Sequence, residues 1–286
     1  MKKFTILFVF SILSFSLYSY QWPTSKDFLL SFFGTPKNNC LSDGIEFTSD
    51  NQAIYPLADG EIVYYQDELI FGDLDYRGDE GNILVLNHIG EFKSIYRNFT
   101  TNNLFNMSDN LKKEEMIGVS GNQNDNFIFS IYDDKRKSYI NPQQILPFLQ
   151  DERKPIIDSV YLDYEDSLHK LSYNLSVPAG ASTIYVNTWD VVKINNNFKK
   201  FTPFSINVFV DGLELYTSSF SSLVEIDNKI FVSGASDTPV DTIISGGELL
   251  YGGNIFLTKG NSIIEIVVKD IDGNEASKSY SVLVNK

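Results

Sequence analysis

Apolar and polar residues alternate along most of this chain. In the first half, "EIVYYQ" (61–66), "NILVLNH" (82–88), "FKSIYRNF" (92–99) and "NFIFSIYD" (126–133) are β-branched and aromatic, and Gly, Asn and Asp punctuate them. In the second half, "IIDSVYLDY" (156–164), "KLSYNLSVP" (170–178) and "STIYVNTWDVV" (182–192) are strand-like and spaced as in a sandwich. "FSINVFVDGLELYTSSF" (204–220) predicts a hairpin turning at Asp211–Gly212, the strongest short hairpin signal in the chain. "SIIEIVVKDIDGNEASKSYSVLV" (262–284) predicts a second hairpin that turns through Asp270–Asn274. Its first strand has one wholly apolar face, Ile264, Ile266 and Val268. "SKDFLLSFFG" (25–34) reads as one or two helical turns capped by Ser25. "DLDYRGDEGN" (73–82) reads as an exposed loop and "TTNNLFNMSDNLKKEE" (100–115) as a polar surface connection. No internal repeat relates the halves, and no long helix is needed.

The pattern divides the chain. Residues 1–19 read as a leader: Lys2 and Lys3 precede the apolar run Phe4–Leu13, and small residues follow at Ser14, Ser16 and Ser19. Cleavage after Ser16 or Ser19 fits. The run is shorter than the ~20 residues a membrane span needs. The mature protein is therefore expected to be exported to the periplasm or cell envelope, with no integral span once the leader is removed. Residues 20–40 form a lead-in and 41–150 a first domain. "QDERKP" (150–155) supplies a charged linker at 151–155, and residues 156–286 form a second domain.

Composition agrees with an all-β reading. The 286 residues are 43% hydrophobic, with 16 Tyr and 22 Phe, which favour strands. The formal net charge is −14, and loss of Lys2 and Lys3 makes it −16. An acidic surface of that size argues against nucleic acid and anionic membrane as partners. The one cysteine, Cys40, cannot form an internal disulfide and is expected to be a buried, inert thiol.

The candidate chemistry lies in a series of ordered landmarks. "FFGTP" (32–36), "SDGIEF" (42–47), "YPLADGEIVYY" (55–65), "NHIGEFKSIYRNF" (87–99), "MIGVSGN" (116–122), "NFIFSI" (126–131) and "INPQQILP" (140–147) follow one another over residues 31–147. In that order they resemble the LytM/lysostaphin-type zinc peptidases, which cut peptidoglycan cross-bridges. The resemblance implies an antiparallel β-sheet or barrel of the duplicated hybrid motif type. It places "SDGIEF" where the family has H-x-G-x-D, "FKSIYRNF" at T-x-Y-x-H-L and "NFIFSI" at H-L-H-F-E-I.

Residue by residue, the chemistry is missing. The family's three zinc ligands fall on Ser42, Glu46 and Ile128, and its two further histidines fall on Asn98 and Asn126. Catalytic zinc takes about three N, S or O protein ligands and one open position. Of the three positions, only Glu46 is an ordinary ligand, and Ile128 has no lone pair. Asn98 and Asn126 can donate hydrogen bonds but cannot act as general bases near neutral pH. The sequence therefore leads to no zinc, no other cofactor and no catalytic residue. It leaves a groove whose candidate binding residues are Glu46, Tyr96, Asn98 and Asn126. His88 matches the family's H-G turn and is expected to be structural; His169 is expected to be exposed. Asp43, Asp59, Asp125, Asp133 and Asp134 are spare carboxylates, and "DIDGN" (270–274) resembles a calcium loop only faintly.

Residues 156–286 resemble an immunoglobulin-like β-sandwich in strand spacing, without paired cysteines, and Trp189 is expected in its core. Three functions follow. The first is a non-catalytic envelope protein that binds peptidoglycan peptide or regulates a wall hydrolase. The second is an active zinc endopeptidase with unusual ligands. The third is a surface adhesin or structural protein acting through the sandwich. The balance leans against an enzyme.

Overall fold

The computed structural model describes residues 20–37, 40–66, 81–90, 92–101, 109–121, 126–149, 151–227, 229–234, 238–245 and 249–285. The leader, most of the loop read at 73–82, much of the connection at 100–115 and Asp125 lie outside them. The fold is all-β, with several largely antiparallel sheets; among the described residues helix is confined to single short turns such as Lys26–Phe28, Pro142–Gln144 and Val240–Ile243.

The strand Phe127–Asp133 is the spine of the first half. It pairs antiparallel with Phe92–Thr100 on one side, and with Gly44–Phe47 and then Ser138–Ile140 on the other. Phe127, Phe129 and Ile131 are fully buried, as the period-2 pattern requires, and they pack with Ile45, Phe47, Leu84, Leu86 and Tyr96. Each buried Phe contributes roughly 1.5–3 kcal/mol relative to an exposed one. The alternate residues, Ile128, Ser130 and Tyr132, face the other way. That opposite face is where the resemblance placed the zinc.

Residues 20–40, expected as a lead-in, are part of this body. Ser25 caps the turn Lys26–Phe28 by accepting from the Asp27 N–H, and the chain then extends rather than continuing as helix. Leu29–Ser31 pairs with Gly44–Phe47, and Leu29 and Phe32 enter the core. Cys40 is exposed, not buried: in the short strand Cys40–Leu41 alternation turns Leu41 inward and Cys40 out.

The second half forms a six-stranded sheet around Ile156–Tyr164, Gly180–Ile194 and Leu249–Leu257, and a five-stranded sheet around Ser205–Val210, Gly260–Lys269 and Glu275–Asn285. Ile184, Val186, Leu250 and Leu257 of the first sheet share one buried cluster with Ile206, Val208, Ile264, Ile266 and Val268 of the second. Both expected hairpins form. Asp211 and Gly212 have φ of 53° and 82°, as a two-residue primed turn demands. Trp189, expected in this core, is only half-buried, because in Gly180–Ile194 the even-numbered residues face inward. Lys200 Nζ lies 3.6 Å from its ring centroid. His169, expected to be exposed, is half-buried and stacks on Tyr164 at 4.0 Å.

The halves are interlocked. Ser222–Ile226 and Lys229–Val232, from the second half, extend the first-half sheet by pairing Ser222–Ile226 with Ser138–Ile140. Phe33 and Leu41 belong to the second-half core, whereas Val192, Ile194 and Phe201 belong to the first.

Candidate functional site

Strand register assembles the groove face. Ile128 lies opposite Glu46 on one neighbour and opposite Arg97 on the other, and Ser130 lies opposite Gly44 and Ile95. Directly opposed residues of antiparallel strands share a face. Glu46, Ile128 and Arg97 therefore form a row across three strands, with Ser130 beside it. Gly44 permits this close approach: a Cβ there would stand 2.3 Å from the Phe129 carbonyl oxygen.

The row is already committed to internal pairing. Glu46 is 5% exposed and accepts from Lys37 Nζ at 2.9 Å. Arg97 donates to Ser130 Oγ at 2.7 Å and pairs with the Asp43 carboxylate. Ser42 Oγ donates to the Gly44 carbonyl at 3.0 Å. The three positions assigned to zinc thus present a hydroxyl tied to backbone, a carboxylate held by an ammonium, and a hydrocarbon. That set does not fit zinc, which needs at least three free donors.

The remaining residues of interest are placed as follows. Asn98 has φ 59°, and the register shift between Asn82 and Ile83 leaves it as the extra residue of a bulge. Asparagine tolerates this left-handed conformation better than most residues. The bulge also explains why Tyr96 and Phe99, three apart, both turn inward. Asn98 Nδ2 donates to the Asn126 carbonyl at 3.2 Å, so these two do meet, and Asn98 Oδ1 is buried with no partner among the described residues. Asn98 therefore does not end its strand, as such an asparagine often does; it kinks one.

Tyr96, a groove candidate by sequence, is instead fully buried on the opposite face, where its hydroxyl accepts from the Leu57 N–H at 2.7 Å and from Ser94 Oγ at 3.0 Å. Burial pushes its pKa above the ordinary phenol range. His88 completes this buried chain: Nε2 lies 2.6 Å from Ser94 Oγ and Nδ1 lies 2.9 Å from the Asp59 carbonyl. Burial lowers its pKa, so it is held neutral. Ser94 is fully buried, so this serine–histidine contact has no access to a substrate.

A protein-family model matches residues 154–285. No curated protein matches the chain. Among solved structures, Helicobacter pylori Csd3 is similar over 48% of this chain and 35% of its own, at 17% identity and a TM-score of 0.36. The SpoIIQ–SpoIIIAH pore-forming complex is similar over 46% of this chain and 92% of the matched chain, at 15% identity and a TM-score of 0.36. A zinc-containing peptidase from Vibrio cholerae is similar over 40% and 36%, at 17% identity and a TM-score of 0.31. The chain spans about a third of the length of Csd3 and of the Vibrio protein. With TM-scores below 0.5, these likenesses assign neither family nor activity.

One constellation escaped the sequence. Asp151, Asp190 and Asp270 bring one carboxylate oxygen each within 4.8 Å of one another. They come from the connecting segment, the middle of a long strand and a hairpin turn. No spacing rule links such positions, although "DIDGN" held one of the three. Burial, followed by the neighbouring carboxylates, pushes Asp190 up to about 7; Asp272 is raised to about 6 in the same way.

Proposed function

We propose that this chain is a non-catalytic, peptidase-fold protein of the cell envelope whose groove face holds a peptidoglycan peptide. The observation that carries the reading is the row Glu46–Ile128–Arg97. In it Glu46 and Ile128, two of the three positions that the resemblance assigns to zinc, lie opposite each other, and ion pairs with Lys37 and Asp43 occupy the charged groups. Without a metal there is no water of lowered pKa to attack a peptide. What remains accessible on this face is Asn98 and Asn126, beside the Arg97–Asp43 pair, with amide groups able to hold peptide carbonyls.

The same reading keeps export by a cleaved leader and the division at 151–155, with an immunoglobulin-like second domain. The two-sheet sandwich supports that last point. No helix among the described residues is long and apolar enough to cross a membrane.

The test uses purified full chain. Muropeptides incubated with it should yield no new products, with zinc added or with chelator. The chain should co-sediment with isolated sacculi, and Ile128→Arg, which fills the face, should weaken that binding. Zinc-dependent, chelator-sensitive cleavage would overturn the non-catalytic reading. Failure to bind sacculi would overturn the peptide-holding one.

A further inference from the structure

The acidic junction between the two halves is the most unusual electrostatic feature outside the groove. Asp151 stands in the segment that leaves the first half, Asp190 in the strand Gly180–Ile194, and Asp270 where Gly260–Lys269 ends. Asp190 is 7% exposed and Asp270 3%, so two of the three carboxylates are almost wholly withdrawn from water. Burying one unpaired carboxylate is costly, and burying several together costs more. Yet among the described residues no Lys, Arg or His forms an ion pair with any of the three.

Two observations separate from the clustering point to a missing partner. Among the described residues, the one hydrogen bond to the buried Asp190 carboxylate is from the adjacent Val191 N–H to Oδ1, at 2.8 Å, which leaves Oδ2 without a partner there, on the wall of a cavity. Oδ2 of Asp151 is shut off from solvent with no hydrogen-bond partner. Asp270 is held differently: Oδ1 accepts from the Asn274 N–H at 2.7 Å, and Oδ2 accepts from Asn274 Nδ2 at 2.8 Å. Asn274 Nδ2 also donates to the Asp151 carbonyl at 3.1 Å, tying the turn to the connecting segment. The framework is thus preorganised by backbone and amide donors, with the Arg153 N–H donating to Asp151 Oδ1 at 3.0 Å, while no ion pair among the described residues neutralises the three carboxylates.

We propose that Asp151, Asp190 and Asp270 form a binding site for a hard divalent cation of the calcium type. The donors are all oxygen, and three carboxylates supply the charge such a cation requires. The adjoining cavity, of about 550 Å³ and lined by Trp22, Asp151, Asp190 and Asp272, gives water access to complete a coordination of six to eight oxygens. The ion would pin the connecting segment to the sandwich and so fix the junction of the two halves. It is independent of the groove and of any peptidase chemistry.

The experiment uses the full chain and terbium as a calcium surrogate. Trp22 lines the cavity, so bound terbium should show saturable, tryptophan-sensitised luminescence that millimolar calcium displaces. Trp22→Phe should lose that signal while calcium still raises the melting temperature by several degrees. Asp190→Asn and Asp270→Asn should each weaken calcium binding at least about tenfold. Where those variants do not fold, Asp151→Asn on the connecting segment serves instead, alongside equilibrium dialysis of the unaltered chain. Absence of bound calcium at millimolar concentration in the unaltered chain would overturn the proposal: the carboxylates would then be sharing protons. Unchanged calcium affinity in the folded aspartate variants would overturn it too.

Discussion

Lys37 Nζ lies 2.9 Å from Glu46 Oε1, with the lysine half-exposed and the glutamate buried. The buried carboxylate neutralises an ammonium from the neighbouring hairpin, Pro36–Lys37 with Cys40–Leu41. Lys37→Ala leaves that buried charge unpaired and should cost about 1.5–3 kcal/mol, the range for hydrogen bonds to charged groups. Lys37→Ala/Glu46→Gln together should recover part of the loss. Urea unfolding of the four proteins, read as a double-mutant cycle, measures the coupling. Additive effects would show that the pair contributes nothing.

Glycine at position 44 is required by space, and at 212 by backbone conformation. Gly44→Ala places a methyl 2.3 Å from a backbone oxygen of Phe129, which cannot move without separating the two strands. We expect a loss of about 1–3 kcal/mol, the usual cost of overpacking, or more. Gly212→Ala meets nothing within 4 Å, and its cost comes from φ 82° alone, about 1–2 kcal/mol. Thermal melts of both variants should rank them in that order.

His88 gives a pH dependence with a definite sign. Its folded pKa lies below the ordinary 6.5 because burial disfavours the cation. As pH falls through about 6.5, the unfolded chain takes up a proton that the folded chain resists, so stability drops. Above that pH the contribution is flat. The melting temperature of the unaltered chain should fall between pH 7 and 5 more steeply than that of His88→Gln. Parallel curves would refute the assignment.

Removing residues 156–286 should not leave an intact first half. Val192, Ile194 and Phe201 are lost from its core, and Ser138–Ile140 loses its partner strand. Phe33 and Leu41 lose their buried surroundings. The fragment 20–150 should unfold with reduced cooperativity and bind a hydrophobic dye that the full chain does not. A cooperative, dye-silent fragment would show that the halves are independent.

The sequence by itself determined the strands, the hairpins at Asp211–Gly212 and Asp270–Asn274, and the order of landmarks around Ile128. These rest on alternation and turn chemistry, which are local: a residue's face follows from its parity along one strand. Parity also separates Ile128 and Ser130 from the buried Phe127, Phe129 and Ile131. The resemblance offered Tyr96 as a groove residue together with Asn98; pairing opposite Phe129 puts Tyr96 on the core face, and the bulge at Asn98, a feature of pairing between strands, breaks the shared parity of the two. The partners of Glu46 and Arg97, the exposure of Cys40 and Trp189, the strands the second half lends to the first and the meeting of Asp151, Asp190 and Asp270 were decided only by tertiary structure. Each depends on which distant strand lies alongside, and burial and charge pairing act through space regardless of separation along the chain.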